Sequence, residues 1–190
     1  PVEHVMGPAA VLMEPAFHAK EITFTMESPA DLPLVWADAE KMHQVLVNVL
    51  ANALAATPSH GTVKISAEAR EALPDELERG RRVADTMSPV VVMILVRDTG
   101  CGMPETDAQQ AFEPFFTTKP VGAGVGLGLA SADGFVGMAG GRIEAVDVAA
   151  ADLALAAVAF VVAEDAVGRI GEPDGSVRLD DDVVGRIQPL

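Results

Sequence analysis

The sequence predicts an α/β (α+β) two-layer sandwich, a mixed β-sheet with helices packed on one face. Three observations carry that expectation. Residues 22–28 and 62–69 alternate apolar with polar side chains, as half-buried strands do. Residues 90–96, VVVMILV, form an unbroken apolar run, the pattern of a central strand covered on both faces. Residues 39–56 place apolar side chains at helical spacing behind Asp38, a residue suited to cap the first turn.

The elements follow in chain order. Residues 9–20 read as a helix that tolerates or kinks at Pro15. The strand at 22–28 is followed by a second short strand candidate, LPLVWA (32–37), and then by the 39–56 helix, which Pro58 and Gly61 end. In the strand 62–69, Val63, Ile65 and Ala67 share one face. Residues 71–89 are charged, carry prolines and lack a periodic apolar face, so a surface insertion is expected there. After the 90–96 strand, DTGCGMP (98–104) turns the chain and a loop runs to about Gly126. A helix is predicted over 127–138, stopped by Gly140 and Gly141. Residues 142–148 and 153–163 read as two closing strands joined through 149–152. From residue 164 the chain is acidic and punctuated by Gly and Pro, with Asp180, Asp181 and Asp182 in a row. The reading is one domain over 1–163 and an acidic linker or tail over 164–190.

Composition narrows the function. A net charge of −15 argues against broad nucleic-acid binding, which needs clustered Lys and Arg to displace counterions. No basic segment followed by an apolar core marks a signal peptide near the N-terminus. The longest uncharged apolar run, 153–163, is about half of what spans a bilayer, so no direct membrane insertion is expected of this fragment. The single cysteine, Cys101, excludes an internal disulfide and fits a reducing, cytoplasmic setting. Because the chain begins at Pro1, a piece of a longer polypeptide is expected, whose full length could be membrane-anchored. In so acidic a protein a phosphate ligand must be held by backbone N–H groups and a metal rather than by a basic surface.

Three stretches could do this. Within QVLVNVLANALAA (44–56), Val45, Leu46, Val49, Leu50, Ala53 and Leu54 supply a core face, while Gln44, Asn48 and Asn52 recur every fourth residue as one polar stripe. Such a stripe is either a solvated helix face or a ligand set, in which a carboxamide oxygen ligates Mg²⁺ and the NH₂ donates to a phosphate oxygen. Asp98-Thr99-Gly100-Cys101-Gly102 is either an ordinary Asp/Gly turn or a strand-end carboxylate that accepts from an exocyclic amine such as adenine's. In the second case Gly100 and Gly102 let the backbone approach a flat ring. The third stretch is FEPFFTTKPVGAGVGLGLA (112–130), with glycines at 122, 124, 126 and 128. Gly126 and Gly128 lie where loop becomes helix, so unpaired N–H groups and the helix dipole can receive phosphates. Gly122 and Gly124 suit a lid over a nucleotide, covering about 105–125. The spacing is neither Gly-x-x-x-x-Gly-Lys-Ser/Thr nor the dinucleotide fingerprint. Cys101 reads as a small residue filling a turn, and of the adjacent Phe115 and Phe116 at least one is expected on the lid or partly exposed.

Together, in this order and spacing, the three stretches resemble the ATP-binding catalytic domain of bacterial sensor histidine kinases, within the GHKL superfamily that includes gyrase and MutL-type ATPases. In family terms Gln44–Asn52 resembles the Asn box, DTGCGMP the first glycine box, FEPFF the aromatic box and GVGLGLA the second glycine box. The resemblance covers about residues 8–163, and FEPFFTTKP is characteristic of the nitrogen-regulator-like and hybrid branch. It implies a Bergerat-type fold and the ligands ATP and Mg²⁺. By the same resemblance Asp98 would bind the adenine amine beside Gly100 and Gly102, Asn52 would ligate Mg²⁺, and Asn48 would assist at the phosphates. Gly124, Val125, Gly126, Leu127 and Gly128 would wrap the phosphates, with Thr118 beside them and Phe112, Phe115 and Phe116 anchoring the lid. Lys119 either supplies the positive charge that many relatives carry at the position of Ala55 or is an exposed surface lysine. Asn48 and Lys119 are the implied catalytic residues.

The departures are informative. Asn48 stands where the ATP-hydrolysing relatives carry Glu, and an amide has no useful basicity, which favours phosphoryl transfer to a supplied nucleophile over activation of water. Val125 replaces the usual Thr, and 149–152 replaces a Gly-x-Gly-Thr turn. The phosphoacceptor motif is missing: His4 does not match it, and His18, His43 and His60 read as surface residues. The implied partners are therefore a histidine-bearing dimerisation domain of the same or a sister chain and a response-regulator receiver domain. The alternative reading is a degenerate module of this fold that acts by protein contacts with weak or no nucleotide binding.

Overall fold

The alternation of Val63, Ile65 and Ala67 with polar neighbours becomes a strand because those three side chains are buried against helices while the residues between them are not. The structure is a computed structural model and describes residues 1–35, 37–72, 74, 76, 87–120, 124–148 and 153–163. In order the elements are α1 (Glu3–Ala19), β1 (Thr23–Glu27), α2 (Ala39–Ala56), β2 (Thr62–Glu71), β3 (Met87–Asp98), α3 (Glu105–Gln110), α4 (Gly128–Met138), β4 (Arg142–Val148) and β5 (Leu153–Ala163). The strands form one sheet in the order β1-β2-β3-β5-β4. β1 and β2 run parallel and the remaining neighbours antiparallel, so the sheet is mixed, as the sequence predicts.

One core joins the sheet to three helices. Met6 and Phe17 of α1, Leu46 and Leu50 of α2 and Val136 of α4 pack with Val63, Ile65, Val92, Val96 and Ile143 from the strands. The register Ile65↔Val96 and Ala67↔Ile94 sets these strand residues on a common face. Each such side chain removed from water contributes about 2 kcal/mol, which outweighs local preference where the two conflict. On the opposite face Val91 is also fully buried, with Ala72 and Met93 against it, so β3 is covered on both sides.

Helix α2 starts and stops where the sequence places it. The Asp38 side chain accepts from the Glu40 and Lys41 N–H groups, and at the far end the Lys20 ammonium donates to the Leu54 carbonyl at 2.8 Å. A cation on the last carbonyls also complements the helix dipole.

Four expectations need correction. Helix α1 begins at Glu3 rather than residue 9, because Val2 and Met6 extend the buried stripe of Ala9, Ala10, Met13 and Phe17 through Gly7 and Pro8. Residues 32–35 and 37 are not a strand; Pro29 and Pro33, which have no N–H to donate, carry the chain to α2, and Trp36 lies outside the described residues. The loop expected after residue 104 contains the short helix α3. The stretch 71–89 is not a surface insertion throughout. Glu71 and Met87 belong to β2 and β3, and Glu76 is 2% exposed.

Glu76 is buried because it is paired. Its two oxygens take the Arg70 guanidinium at 2.7 and 2.8 Å, with Arg142 Nη2 at 3.8 Å. The hydrogen bonds that the Arg70 guanidinium donates to Glu76 raise its pKa further, so the pair stays charged. Arg70 sits opposite Val91 on the sheet face away from the helices, so the pair fastens the chain beyond β2 onto that face. Removing one partner leaves a charge stranded. Glu76→Ala should lower the unfolding free energy by about 3 kcal/mol in urea titration; a loss under about 0.5 kcal/mol, the scale of an ordinary surface substitution, would contradict the clamp.

Candidate functional site

The polar stripe of α2 meets the start of α4. Asn48 Nδ2 donates to the Gly128 carbonyl at 3.1 Å, and one turn later Asn52 Oδ1 accepts from Lys119 Nζ at 3.3 Å. Gln44, one turn earlier, is exposed. Leu127 at the N-cap offers no side-chain acceptor, and the first N–H to bond back into α4 is that of Ser131, to Leu127 O at 2.9 Å. Among the described residues the N–H groups of Gly128, Leu129 and Ala130 have no acceptor, and such first-turn donors point out of the helix end.

The loop leading into α4 is pinned at its base. The Phe115 N–H donates to Gly126 O at 2.9 Å. Gly126 has φ +71°, and a Cβ there would run into the Phe116 carbonyl and lie 2.5 Å from Phe115 C, so only glycine fits. Phe115 itself holds φ +70°, a strained value for a bulky residue, and the residue is 71% exposed. Phe115 therefore anchors the loop through its backbone and leaves its side chain exposed, in keeping with the expectation that at least one of Phe115 and Phe116 is partly exposed. Phe112 does pack on the core, and Phe116 is half-buried. Thr118, Lys119, Val125 and Leu127 are exposed, and Gly124 lies against the Lys119 side chain, whose Cδ is 3.3 Å from where a Cβ would be. Gly122 lies outside the described residues, as do positions 149–152 and 164–190.

At the end of β3, Asp98 is 6% exposed and its Oδ1 accepts from the Gly100 N–H at 2.8 Å. Among the described residues Oδ2 has no partner. Burial raises the Asp98 carboxyl above its ordinary 3.8, with the Gly100 bond offsetting part of the rise. A Cβ on Gly100 would stand 2.9 Å from Ala56, so the turn abuts the last residue of α2, one helical turn beyond Asn52. Sequence reasoning missed Thr99. Its hydroxyl accepts from the Thr62 N–H at 2.8 Å and ties the turn to β2. The signal lay in a threonine beside a Gly turn, which alone is too common to single out. Gly102 has φ +68° with open space where a side chain would go, and Cys101 is exposed. A carboxylate, two carboxamides and an open helix N-terminus are thus arrayed along one side of α2. Of the histidines, His4, His18 and His60 are exposed and His43 is half-buried.

Residues 37–169 match the family described as histidine kinase-, DNA gyrase B- and HSP90-like ATPases. The chain belongs to that family. Among its relatives are the sensor kinase CckA of Brucella abortus, 36% identical over 124 residues, and the adaptive-response sensory kinase SasA of Rippkaea orientalis, 34% identical over 117 residues. These alignments take in 65% and 60% of the chain but only 13% and 26% of the two relatives. In structure it is similar to the catalytic domain of histidine kinase ThkA, with TM-score 0.65, 26% identity, and 84% and 93% of the two chains covered. It is also similar to full-length ShkA in complex with AMPPNP, at TM-score 0.66 and 26% identity over 86% of this chain and 30% of that one. The fold is that of a histidine-kinase catalytic domain, in agreement with the reading of the motifs. No helix among the described residues is long and apolar enough to cross a membrane.

The buried Asp98 generates a pH prediction. A carboxyl whose folded pKa is raised binds its proton more tightly folded than unfolded, so its ionisation costs stability. The cost is absent below the unfolded value near 3.8, grows as pH rises to the folded value, and is complete above it. Asp98→Asn keeps an oxygen for Gly100 and removes the charge. The variant should melt at a higher temperature than the parent at pH 7, with the difference vanishing in acid. A variant that melts lower at pH 7 would contradict this account of Asp98.

Proposed function

We propose that this chain is the catalytic domain of a sensor histidine kinase, binding Mg-ATP and passing its γ-phosphoryl group to a histidine on a dimerisation domain of the same or a sister chain. A response-regulator receiver domain would then take the group onward. The observation that carries the reading is the open N-terminus of α4 facing the amide stripe of α2, with Asp98 beside the end of that helix. Asp98 would accept from the adenine amine through Oδ2, which has no partner among the described residues. The free N–H groups of α4 would take the phosphates, as helix N-termini do. Asn52 suits Mg²⁺, because its Oδ1 already attracts a cation, the Lys119 ammonium. When bound, the metal supplies charge neutralisation at the phosphates. The AMPPNP in the ShkA structure agrees with a nucleotide in this fold, and a ThkA structure in complex with the response regulator TrrA agrees with the expected partner.

In the transfer, a lone pair on the acceptor imidazole nitrogen attacks the γ-phosphorus while the bond to the β–γ bridging oxygen breaks and ADP leaves with that electron pair. The chain's part is to hold and orient the phosphates. With Asn48 at the position where a general base would be needed, it offers water no activation. A degenerate module is the second reading, favoured by Val125, an exposed hydrocarbon at the phosphate-side loop.

Calorimetric titration with ATP separates the two. Saturable binding at micromolar to sub-millimolar ATP, strengthened by Mg²⁺, is expected. Asp98→Asn should weaken it at least about tenfold, the effect of one lost charge-assisted hydrogen bond, and Asn52→Ala should remove the Mg²⁺ dependence. No binding up to about 1 mM, weaker than about −4 kcal/mol, would make the degenerate module the better account.

A further inference from the structure

Among the described residues, the contact between Lys119 and Asn52 is the one place where the loop before α4 touches the amide stripe through a charge. Lys119 Nζ lies 3.3 Å from Asn52 Oδ1, across 67 residues of chain. Its backbone N–H is held by Thr117 Oγ1 at 3.2 Å, and its stem lies along Gly124. The base of the loop is closed by Phe115 and Gly126. The ammonium is thus delivered to the carboxamide oxygen by a braced segment.

That oxygen is also the atom that suits a divalent cation. We infer that the Lys119 ammonium and Mg²⁺ are alternative occupants of the Asn52 oxygen, so that Lys119 supplies the cation for nucleotide recognition when no metal is bound. The inference rests on the nucleotide-binding reading of this site. An amide oxygen carries two lone pairs, but a metal ion and an ammonium on the same oxygen repel each other at such short range. One cation excludes the other there. With Lys119 in place, the start of α4 faces a positive charge, and phosphates entering between them meet N–H donors on one side and an ammonium on the other. When Mg²⁺ takes the oxygen, it takes over that charge, and Lys119 leaves Asn52. A lysine that simply touched phosphate would act with or without metal. A metal stand-in acts only without it.

The test is calorimetry of AMPPNP binding to the chain and to Lys119→Met, which keeps the stem and removes the charge, in Mg²⁺ and in EDTA. Lys119→Met should weaken binding about five- to tenfold in EDTA, the scale of a charge-assisted hydrogen bond at a partly exposed site, and change it by less than about twofold in Mg²⁺. Lys119→Arg should restore the EDTA value. An equal loss in both conditions would overturn the inference, since Lys119 would then act on the nucleotide or the loop independently of metal. No loss in either would overturn it too, making the lysine a bystander. Absence of AMPPNP binding by the unsubstituted chain in both conditions would overturn the nucleotide reading and the inference with it.

Discussion

The hydrogen bond from Asn48 to the Gly128 carbonyl is the joint on which the candidate site depends. It connects the helix that organises the core to the helix whose N-terminus is open. Everything else along α2 is arranged around that joint. Its apolar face is buried against the sheet, Lys20 holds its last carbonyls, Ala56 abuts the Asp98 turn, and Asn52 meets the loop through Lys119. One rigid rod therefore spaces the carboxylate from the open helix end. A rod of fixed rise per residue is well suited to measure out a nucleotide, with the base at one end and the phosphates toward the other.

The charge of the chain explains why the site is built from neutral groups. With a net charge of −15, long-range attraction of an anion is unfavourable, and binding must come from short-range donors placed in advance. Backbone N–H groups at a helix start meet that need, since they carry partial positive charge with no side-chain entropy to lose. The loop serves the same end. Gly126 allows the backbone crossing at Phe115, and the strain at Phe115 is borne by a bond that fixes where α4 begins. In the proposed site, amide geometry would do the work that a basic patch does in phosphate-binding proteins.

What could be read from the sequence follows the range of the interactions involved. Asp38 capping α2, the stripe of Asn48 and Asn52, and the helix start at Gly128 are set by neighbours within a turn or two, and periodicity exposes them. The longer α1 is different. Its first turns contain Gly7 and Pro8, which local rules treat as breaks, and only burial of Met6 against the sheet explains them. Glu76 looked like one charge in a charged stretch, and its burial depends on arginines from two strands that come together only in the folded sheet. The partnership of Lys119 with Asn52 was equally hidden, because a lysine in a loop carries no local sign of which helix it reaches. That Phe115 rather than Phe116 is the exposed one of the pair is a backbone effect that residue type alone cannot show.

The central claim is that neutral backbone donors at the start of α4 take the phosphates while Asp98 takes the base. Amide chemical shifts, followed by nuclear magnetic resonance while the chain is titrated with ATP and, separately, with adenosine, test it most directly. The account predicts that ATP moves the amide resonances of residues 126–130 together with those of 98–102, whereas adenosine moves only the second set. Saturable ATP binding that leaves the amides of 126–130 unmoved would contradict it.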